Sequence, residues 1–593
     1  MFKRVFKRGV FYRTGVILLL QAIWLFCALS ARADDDVIRA DMLRLAHADP
    51  AVRREAVTAL ARTGDQRLEE FLESYRMGSI YIWKDRPVLC EKTVMDEEMN
   101  ELAPLSDPLT RRPLMNNGRQ VVVPVEELTG ISPTRRERRL AGRAKFLLRL
   151  SSPDAGMRLS GAKKAGDPPG ITEAAGLLMK LSENDPDRKV RYMARESLLL
   201  LRLNERATED RLAAVRELGE MKSMRALPRL RELLREVTGG DPEAGGLAAR
   251  PLRTARGLVR SHGAPAPDSA EHVYRQAIRK IEIHQGFVDY FGSMFQGFSL
   301  GSILILMGLG LAITFGLMGV INMAHGELMM IGAYTTFEIQ RLVGHTPDNP
   351  SDWYYVLALP AAFLSSALAG YLIEVLVVRH LYRRPVESLL ATWGVGLILI
   401  QLVRLRYGDN IGVNAPSWAR GGIEIMQDIV LPYGRCFIIA LCAFCVLLIY
   451  YLMKRTGLGL RMRATMQNRD MAASLGVNTG RVDRYTFAFG SGIAGIAGYA
   501  WTLIGGVTPD MGQTNFIVDS FLVVVTGGVG ELLGVVFSGL GIGVLTKVLE
   551  PAAIGSFTVG AIWAKVLLLL VIVTFIQFKP AGLFAPRGRL ADE

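Results

Sequence analysis

Three side chains able to do chemistry lie where polar chemistry is costly. Asn322, His325 and Glu327 interrupt the apolar stretch Ser299–Tyr334, SLGSILILMGLGLAITFGLMGVINMAHGELMMIGAY. The stretch opens with a run of roughly 23 apolar or small residues, long enough for a helix to cross a ~30 Å hydrocarbon core. Ionisable groups at that depth mark candidate pathway, relay or gating positions. A hydrogen-bond network that merely holds two spans together would use the same residue types. Gln401, Thr514 and Asn515, also set in apolar surroundings, are further pathway candidates. An uncharged amide-like solute needs such donors and acceptors and no fixed charge.

The sequence offers no set of residues for covalent, metal or phosphate chemistry. His47, His262, His272 and His284 are scattered through the charged front half, as surface or capping histidines are. Cys442 and Cys445 form a C-x-x-C, but inside the apolar run CFIIALCAFCVLLIYYL, with no second pair and no nearby His. They read as small buried side chains. There is no G-x-x-x-x-G-K-[ST] and no Gly-Lys dipeptide anywhere, so the phosphate-cradling loop is missing. The expectation is a protein that is not an enzyme, has no catalytic residues, metal site or cofactor, and leaves any ATP hydrolysis to a separate subunit.

The elements that must position these residues divide the 593-residue chain in two. Ahead of about Phe287 the chain is charged; beyond it, apolar spans dominate and charges retreat to the joints. The formal net charge of +13 follows from basic joints on the cytoplasmic side of a membrane and points to no nucleic-acid partner. Residues 1–33 have the layout of a secretory signal: basic Lys3, Arg4, Lys7, Arg8 and Arg13, an apolar core, and Ala31-Arg32-Ala33 before Asp34.

Residues 34–283 are expected to form an exported α-helical domain. Within it V-R-x-x-A-x-x-x-L occurs at Val52–Leu60 and again at Val190–Leu198, with a weaker copy on Arg211, Ala214 and Leu218. Positions i, i+4 and i+8 share a helix face, so each copy makes an apolar stripe of the kind stacked in HEAT-like repeats. Tyr75–Glu127, with runs such as SIYIW and QVVVPV, is expected to be an inserted hairpin or loop, and Gly239–Asp268 a linker. Residues 284–593 are expected to hold about 8–9 spans, near 296–320, 323–341, 354–378, 387–403, 430–453, 484–506, 517–533, 535–550 and 561–578. The pair after Phe516 is short and Gly-rich, so one member is a candidate for a re-entrant helix. With the basic joints placed in the cytoplasm, nine spans connect an exported amino-terminal domain to a cytoplasmic carboxyl end. The Asn322–Glu327 break then falls near a cytoplasmic turn, where a structural or gating hinge is as good a reading as a ligand for solute.

The longest basic joint is the loop 454–484, KRTGLGLRMRATMQNRDMAASLGVNTGRVDR. Asp470 is the expected N-cap of a short helix over Met471, Ala472, Ala473, Ser474 and Leu475, and Gly476 can take the left-handed position after it. A capped single-turn helix bracketed by Arg is a poor span and a good docking knob.

Two blocks carry a family resemblance. The first is G-x-M-G-V-I-N-M-A-H-G-E-x-x-M-x-G-A-Y, ending at Tyr334. The second is R-A-x-x-x-N-x-x-x-A-x-x-x-G-x-N on Arg463, Ala464, Asn468, Ala472, Gly476 and Asn478. Together they resemble the branched-chain amino-acid type of ABC-transporter permease, a family that includes urea permeases. The resemblance spans about Phe287–Arg589. It implies an all-α, polytopic helical membrane permease, here preceded by the exported helical domain and sited in a bacterial inner membrane. The loop 454–484 would be the coupling loop, with Arg463, Asn468, Asp470, Met471, Ala472, Leu475 and Gly476 meeting cytoplasmic ATP-binding subunits. A second homologous permease subunit and a periplasmic solute-binding protein would complete the machine in the lipid bilayer. The carboxyl block from Trp563 to Phe584 and the large exported extension look more like the urea branch. Branched-chain amino acids or a short amide are the alternative cargo, and a passive channel with an exported interaction domain is the alternative mechanism.

Overall fold

Helix dominates the chain, as its 3.6-residue apolar periodicity and long apolar runs require. The computed structural model describes residues 35–584 except 36, 96–100, 117, 169, 205–207, 239–269, 345–350, 383, 427, 552, 555–556, 559 and 581. The expected signal (1–33) and the linker 239–268 therefore lie outside the described residues. The described chain forms two compact units: one from residues up to 238 together with 270–282, the other from Ile283 onward.

The first unit contains α1 (Pro50–Arg62), α2 (Arg67–Met77), α3 (Arg135–Leu150), α4 (Ala155–Gly166), α5 (Ala175–Asn184), α6 (Arg188–Arg202), α7 (Thr208–Met221) and α8 (Leu227–Thr238). The apolar stripes face inward: Ala56, Leu60, Val190, Ala194, Ala214 and Leu218 are buried. The Arg of the repeated motif has a structural task. Asp49, Asp154 and Asp187 cap α1, α4 and α6. Four residues after each cap, Arg53, Arg158 and Arg191 fold back onto the two carbonyls just before it. Each Arg thus fixes the turn that admits its helix, because those carbonyls have no partner within the helix. The copy at Asp154–Arg158 has Gly161 at the Ala position of the motif and is visible only through this shared geometry. Between α2 and α3 the inserted segment forms small antiparallel sheets. Strands β1 (Ile80–Trp83) and β2 (Arg86–Leu89) pair as a hairpin with β8 (Thr129–Gly130) alongside, and β3 (Val94–Met95), β4 (Glu101–Pro104) and β7 (Val122–Pro124) form a second sheet. Strands β5 (Met115–Asn116) and β6 (Arg119–Gln120) make a short ribbon.

The helix α9 (Ala270–Met318) contributes its first turns to the core of the first unit, where Val273, Tyr274, Ala277 and Ile281 are buried. The rest of it belongs to the second unit. There follow α10 (His325–Val343), α11 (Trp353–Leu376), α12 (Pro385–Tyr407), α13 (Tyr433–Arg455), α14 (Gly457–Gln467), α15 (Arg469–Ser474), α16 (Thr479–Trp501), α17 (Ile517–Gly527), α18 (Leu532–Leu549) and α19 (Gly560–Phe578). Among the described residues six helices are long and apolar enough to cross a membrane: α9, α11, α12, α13, α18 and α19. Every one of the nine expected spans contains a helix, but three fall short as independent spans. With 11 residues, α17 is only about 17 Å long at 1.5 Å per residue. Its Gly-rich end closes on α18, where Gly527 and Gly534 touch backbone to backbone. The other two, α10 and α16, carry Glu327, Glu338, Arg341, Arg481, Asp483 and Arg484. Glu327 and Asp483 are enclosed by other helices, whereas Arg341 and Arg481 lie exposed near helix ends; most of α16 from Thr486 to Ala500 is buried. Small residues permit that density. Gly332 lies on Gly495, and a Cβ on Gly498 would collide with the Met329 carbonyl oxygen.

Candidate functional site

The break between α9 and α10 is not a peripheral turn. His325, the first residue of α10, sits with Nε2 3.1 Å from the Met307 carbonyl oxygen. Met307 lies 11 residues before the end of α9 at Met318, which is about 17 Å back along that helix. The segment 319–324 therefore turns back into the bundle. The polar residues stand inside the helix bundle rather than on its surface. Gly319 makes the reversal at φ +63°. Asn322 Oδ1 then accepts the Ala324 N–H at 3.1 Å, an Asx-type turn, and the Met323 N–H donates to Thr392 Oγ1 of α12 at 3.1 Å.

Asn322, His325 and Glu327 are fully or almost fully buried. His325 Nε2 faces a carbonyl and so carries the hydrogen. Its Nδ1, Asn322 Nδ2 and Glu327 Oε2 have no hydrogen-bond partner among the described residues. Glu327 packs against Gly396 of α12, where a Cβ would approach its carboxyl carbon to 3.1 Å. Gly326 meets Gly512 at the start of a π-helical turn, Gly512–Phe516, with an added Cβ only 2.7 Å from the Gly512 carbonyl carbon. An irregular segment, a helix amino terminus and a π-turn thus converge. Broken helices of this kind are tolerated at membrane depth where they are enclosed by protein or line a cavity.

The other pathway candidates are not brought into this cluster. Gln401 is exposed on α12. It follows the buried Thr392 by nine residues, two and a half helical turns, and so occupies the opposite face. Thr514 and Asn515 belong to the π-turn itself but are exposed. Thr514 Oγ1 donates to Asp510 at 3.4 Å, and the Asn515 carbonyl accepts Lys565 Nζ at 3.4 Å. Thr392 and Gly396 are missing from the sequence-based set. Neither is an unusual residue for a span, and only the packing of α12 on the break selects them.

The loop 454–484 folds as α14, α15 and the start of α16. Its N-cap differs from expectation: Asn468, not Asp470, caps α15, with Oδ1 accepting the Met471 N–H at 2.9 Å. Asp470 lies in the exposed first turn, where its charge favours the helix amino terminus. Gly476 ends the helix at φ +88°, and the Val477 N–H returns to the Ala472 carbonyl. Asn478 caps α16 through the Arg481 N–H. Ala472 is buried, whereas Met471 and Leu475 are 58% and 77% exposed. The half-buried Arg463 lies on α14, whose Met466 side chain touches Gly316 of α9 and Gly530 beyond α17. At the base of α15, Arg469 pairs with Asp483 of α16, which sequence reasoning did not single out.

This geometry, a multi-helix membrane unit with a broken helix and a capped external knob, is that of a transport permease. The chain belongs to the family of branched-chain amino acid transport system permease components, whose model matches residues 293–576. It is 31% identical over 268 residues to the high-affinity branched-chain amino acid transport system permease protein LivH of Salmonella typhimurium, covering 44% of this chain and 85% of that protein. It is 25% identical over 300 residues to BraD of Pseudomonas aeruginosa, covering 50% and 95%, and 26% identical over 272 residues to LivM of Escherichia coli, covering 41% and 60%. A PBS lyase HEAT-like repeat model matches residues 210–236, which span most of α7 and α8. No solved structure matches the chain.

Proposed function

We propose that this chain is a permease subunit of an ATP-driven importer that carries urea across a bacterial inner membrane. The observation that carries the substrate reading is the cluster at the start of α10. It presents one buried donor, Asn322 Nδ2, and two buried acceptors, His325 Nδ1 and Glu327 Oε2, all without partners among the described residues. Buried polar atoms are normally hydrogen-bonded, so these atoms suit a small solute that both donates and accepts. Among the described residues no other ionised side chain acts on His325 or Glu327. A free amino acid, which carries a carboxylate and an ammonium together, finds no matched cation there. The carboxyl block Trp563–Phe584 supports the urea reading through its resemblance to that branch. A second reading, import of branched-chain amino acids by the same machine, is favoured by the names of the relatives.

In this assignment residues 34–283 form a periplasmic HEAT-like domain released from a signal at 1–33. Residues 284–593 form the permease domain. A periplasmic binding protein delivers the solute, a second homologous permease subunit completes the pathway, and ATP-binding subunits grip the loop 454–484. Asn322, His325 and Glu327 line or gate the pathway. Uptake of labelled urea by the reconstituted complex with ATP tests the cargo. Excess unlabelled urea abolishes the signal and excess leucine leaves it; the reverse pattern transfers the assignment to amino acids.

A further inference from the structure

A continuous set of part-buried polar contacts joins α15 to α11 and α16. Its base is Arg469, the first residue of α15, whose guanidinium pairs with both oxygens of Asp483. The Asp483 side chain has no exposed surface. The flat face of the same guanidinium lies 4.9 Å from the ring centroid of Tyr382, in the turn between α11 and α12. The Tyr382 hydroxyl donates to Glu374 Oε1 at 3.0 Å, and it faces the Asp483 carboxylate as well. Glu374 is 2% exposed near the end of α11, with Arg379 and Arg484 as the other charges that face it.

We propose that Arg469, Asp483, Tyr382 and Glu374 are the positioning residues that convert movement of α15 into movement of α11 and α16, and so couple ATP hydrolysis to transport. The inference rests on the reading of α15 as the contact to an ATP-binding subunit. Three features give it content. The helix α15 has only six residues and is fixed at both ends by Asn468 and Gly476, so it moves as one piece. Its outward side is apolar and exposed at Met471 and Leu475, while its inward attachment is a charge pair whose Asp483 carboxylate is fully buried. Breaking such a pair leaves an uncompensated buried charge, so the two partners stay together when either is displaced. Beyond the pair, α11 and α16 are closely packed through Gly370 on Ser491, Ser366 on Gly495 and the Tyr355–Tyr499 rings at 4.3 Å. The same helix α16 presses Gly495 and Gly498 against Gly332 and Met329 of α10. A displacement at Arg469 therefore reaches the helix that begins with His325 through packed backbone alone. Met466 offers a parallel contact to α9 and to Gly530 beyond α17, but an apolar one without directional bonds.

The test uses the complete complex in proteoliposomes, with uptake and ATP hydrolysis measured on the same sample. Arg469→Met lowers solute transported per ATP about tenfold while hydrolysis persists, and Tyr382→Phe, which keeps the ring and removes one bond, lowers it about threefold. The exchange Arg469→Asp with Asp483→Arg recovers a substantial part of the ratio that either single change loses. An unchanged ratio in both Arg469→Met and Tyr382→Phe overturns the proposal. So does a parallel loss of assembly, hydrolysis and uptake that the exchange fails to restore, since that is the signature of a purely structural pair. Cross-linking from Leu475→Cys to the ATP-binding subunit separates the two levels. An absent cross-link refutes the docking role of α15 itself, whereas a cross-link with unchanged ratios refutes only the linkage.

Discussion

Asn468 and Asp470 stand two residues apart, and only one of them caps α15. The side chain of an N-cap must reach back over the first turn, and Asn468 Oδ1 does so to the Met471 N–H. Asn468→Ala is therefore expected to cost about 1 kcal/mol of local helix stability, and Asp470→Ala only a few tenths. Hydrogen exchange over residues 469–476 in the assembled protein reads the difference. The motif that identifies this loop was legible because its positions do geometric work. Asn468 and Asn478 cap, Ala472 packs, and Gly476 takes a positive φ. Arg469 was not legible, because its partners Asp483 and Tyr382 are defined by the meeting of three elements rather than by spacing along one. In the first unit the repeated Arg is likewise a clamp, and Arg158 adds a second bond to the carboxylate of Asp185. Burial raises the Asp185 pKa, but the bonds from Arg158 and the Asp187 N–H outweigh it and hold the group below the usual carboxylate range. A depressed folded pKa stabilises above the unfolded value of about 4, and that contribution is lost as pH falls through the folded value. Asp185→Asn should thus cost about 1.5–3 kcal/mol at neutral pH and progressively less in acid. Unfolding of the full-length protein followed at several pH values checks this.

At the scale of elements, α15 and the break before α10 have opposite surfaces. The helix α15 turns Met471 and Leu475 outward although no apolar neighbour within the chain covers most of either side chain. Two exposed apolar side chains on a rigid turn are anchors for a pocket in a partner. Replacing both by Asp is expected to weaken retention of the ATP-binding subunits by at least about 2 kcal/mol, near thirtyfold, in a pull-down from detergent. The break at 319–324, in contrast, buries its polar groups. Apolar run lengths showed that a helix ends near Met318 and another starts near His325. They could not show that the chain doubles back, because run length carries no information on depth. That came from the bond between His325 and Met307 and from the contact of Gly326 with Gly512. The same limit explains Gln401: a polar residue in an apolar run can face either way, and packing turns this one outward.

For the molecule as a whole, the division into a charged front and an apolar remainder was plain from composition, and the family followed from two short blocks. The β insert between α2 and α3 was legible as lost helical periodicity with two β-favouring runs, SIYIW and QVVVPV, which carry β1 and β7; the pairing was not, since the strands are short and pair across distant segments. All the residues proposed for solute, coupling and linkage belong to the second unit. Removing residues 34–283 is accordingly expected to leave ATP-driven uptake in place, measured against the full-length complex at equal permease content. Loss of uptake with an intact assembly would instead give the amino-terminal domain a working part in delivery. The most direct test of the central claim asks whether flux needs the nucleotide cycle at all. Labelled urea uptake is measured in proteoliposomes with the complete complex, once with active ATP-binding subunits and once with those subunits omitted. Accumulation above the external concentration that disappears on omission is the predicted result; flux that continues unchanged without them would contradict it and make the protein a passive channel.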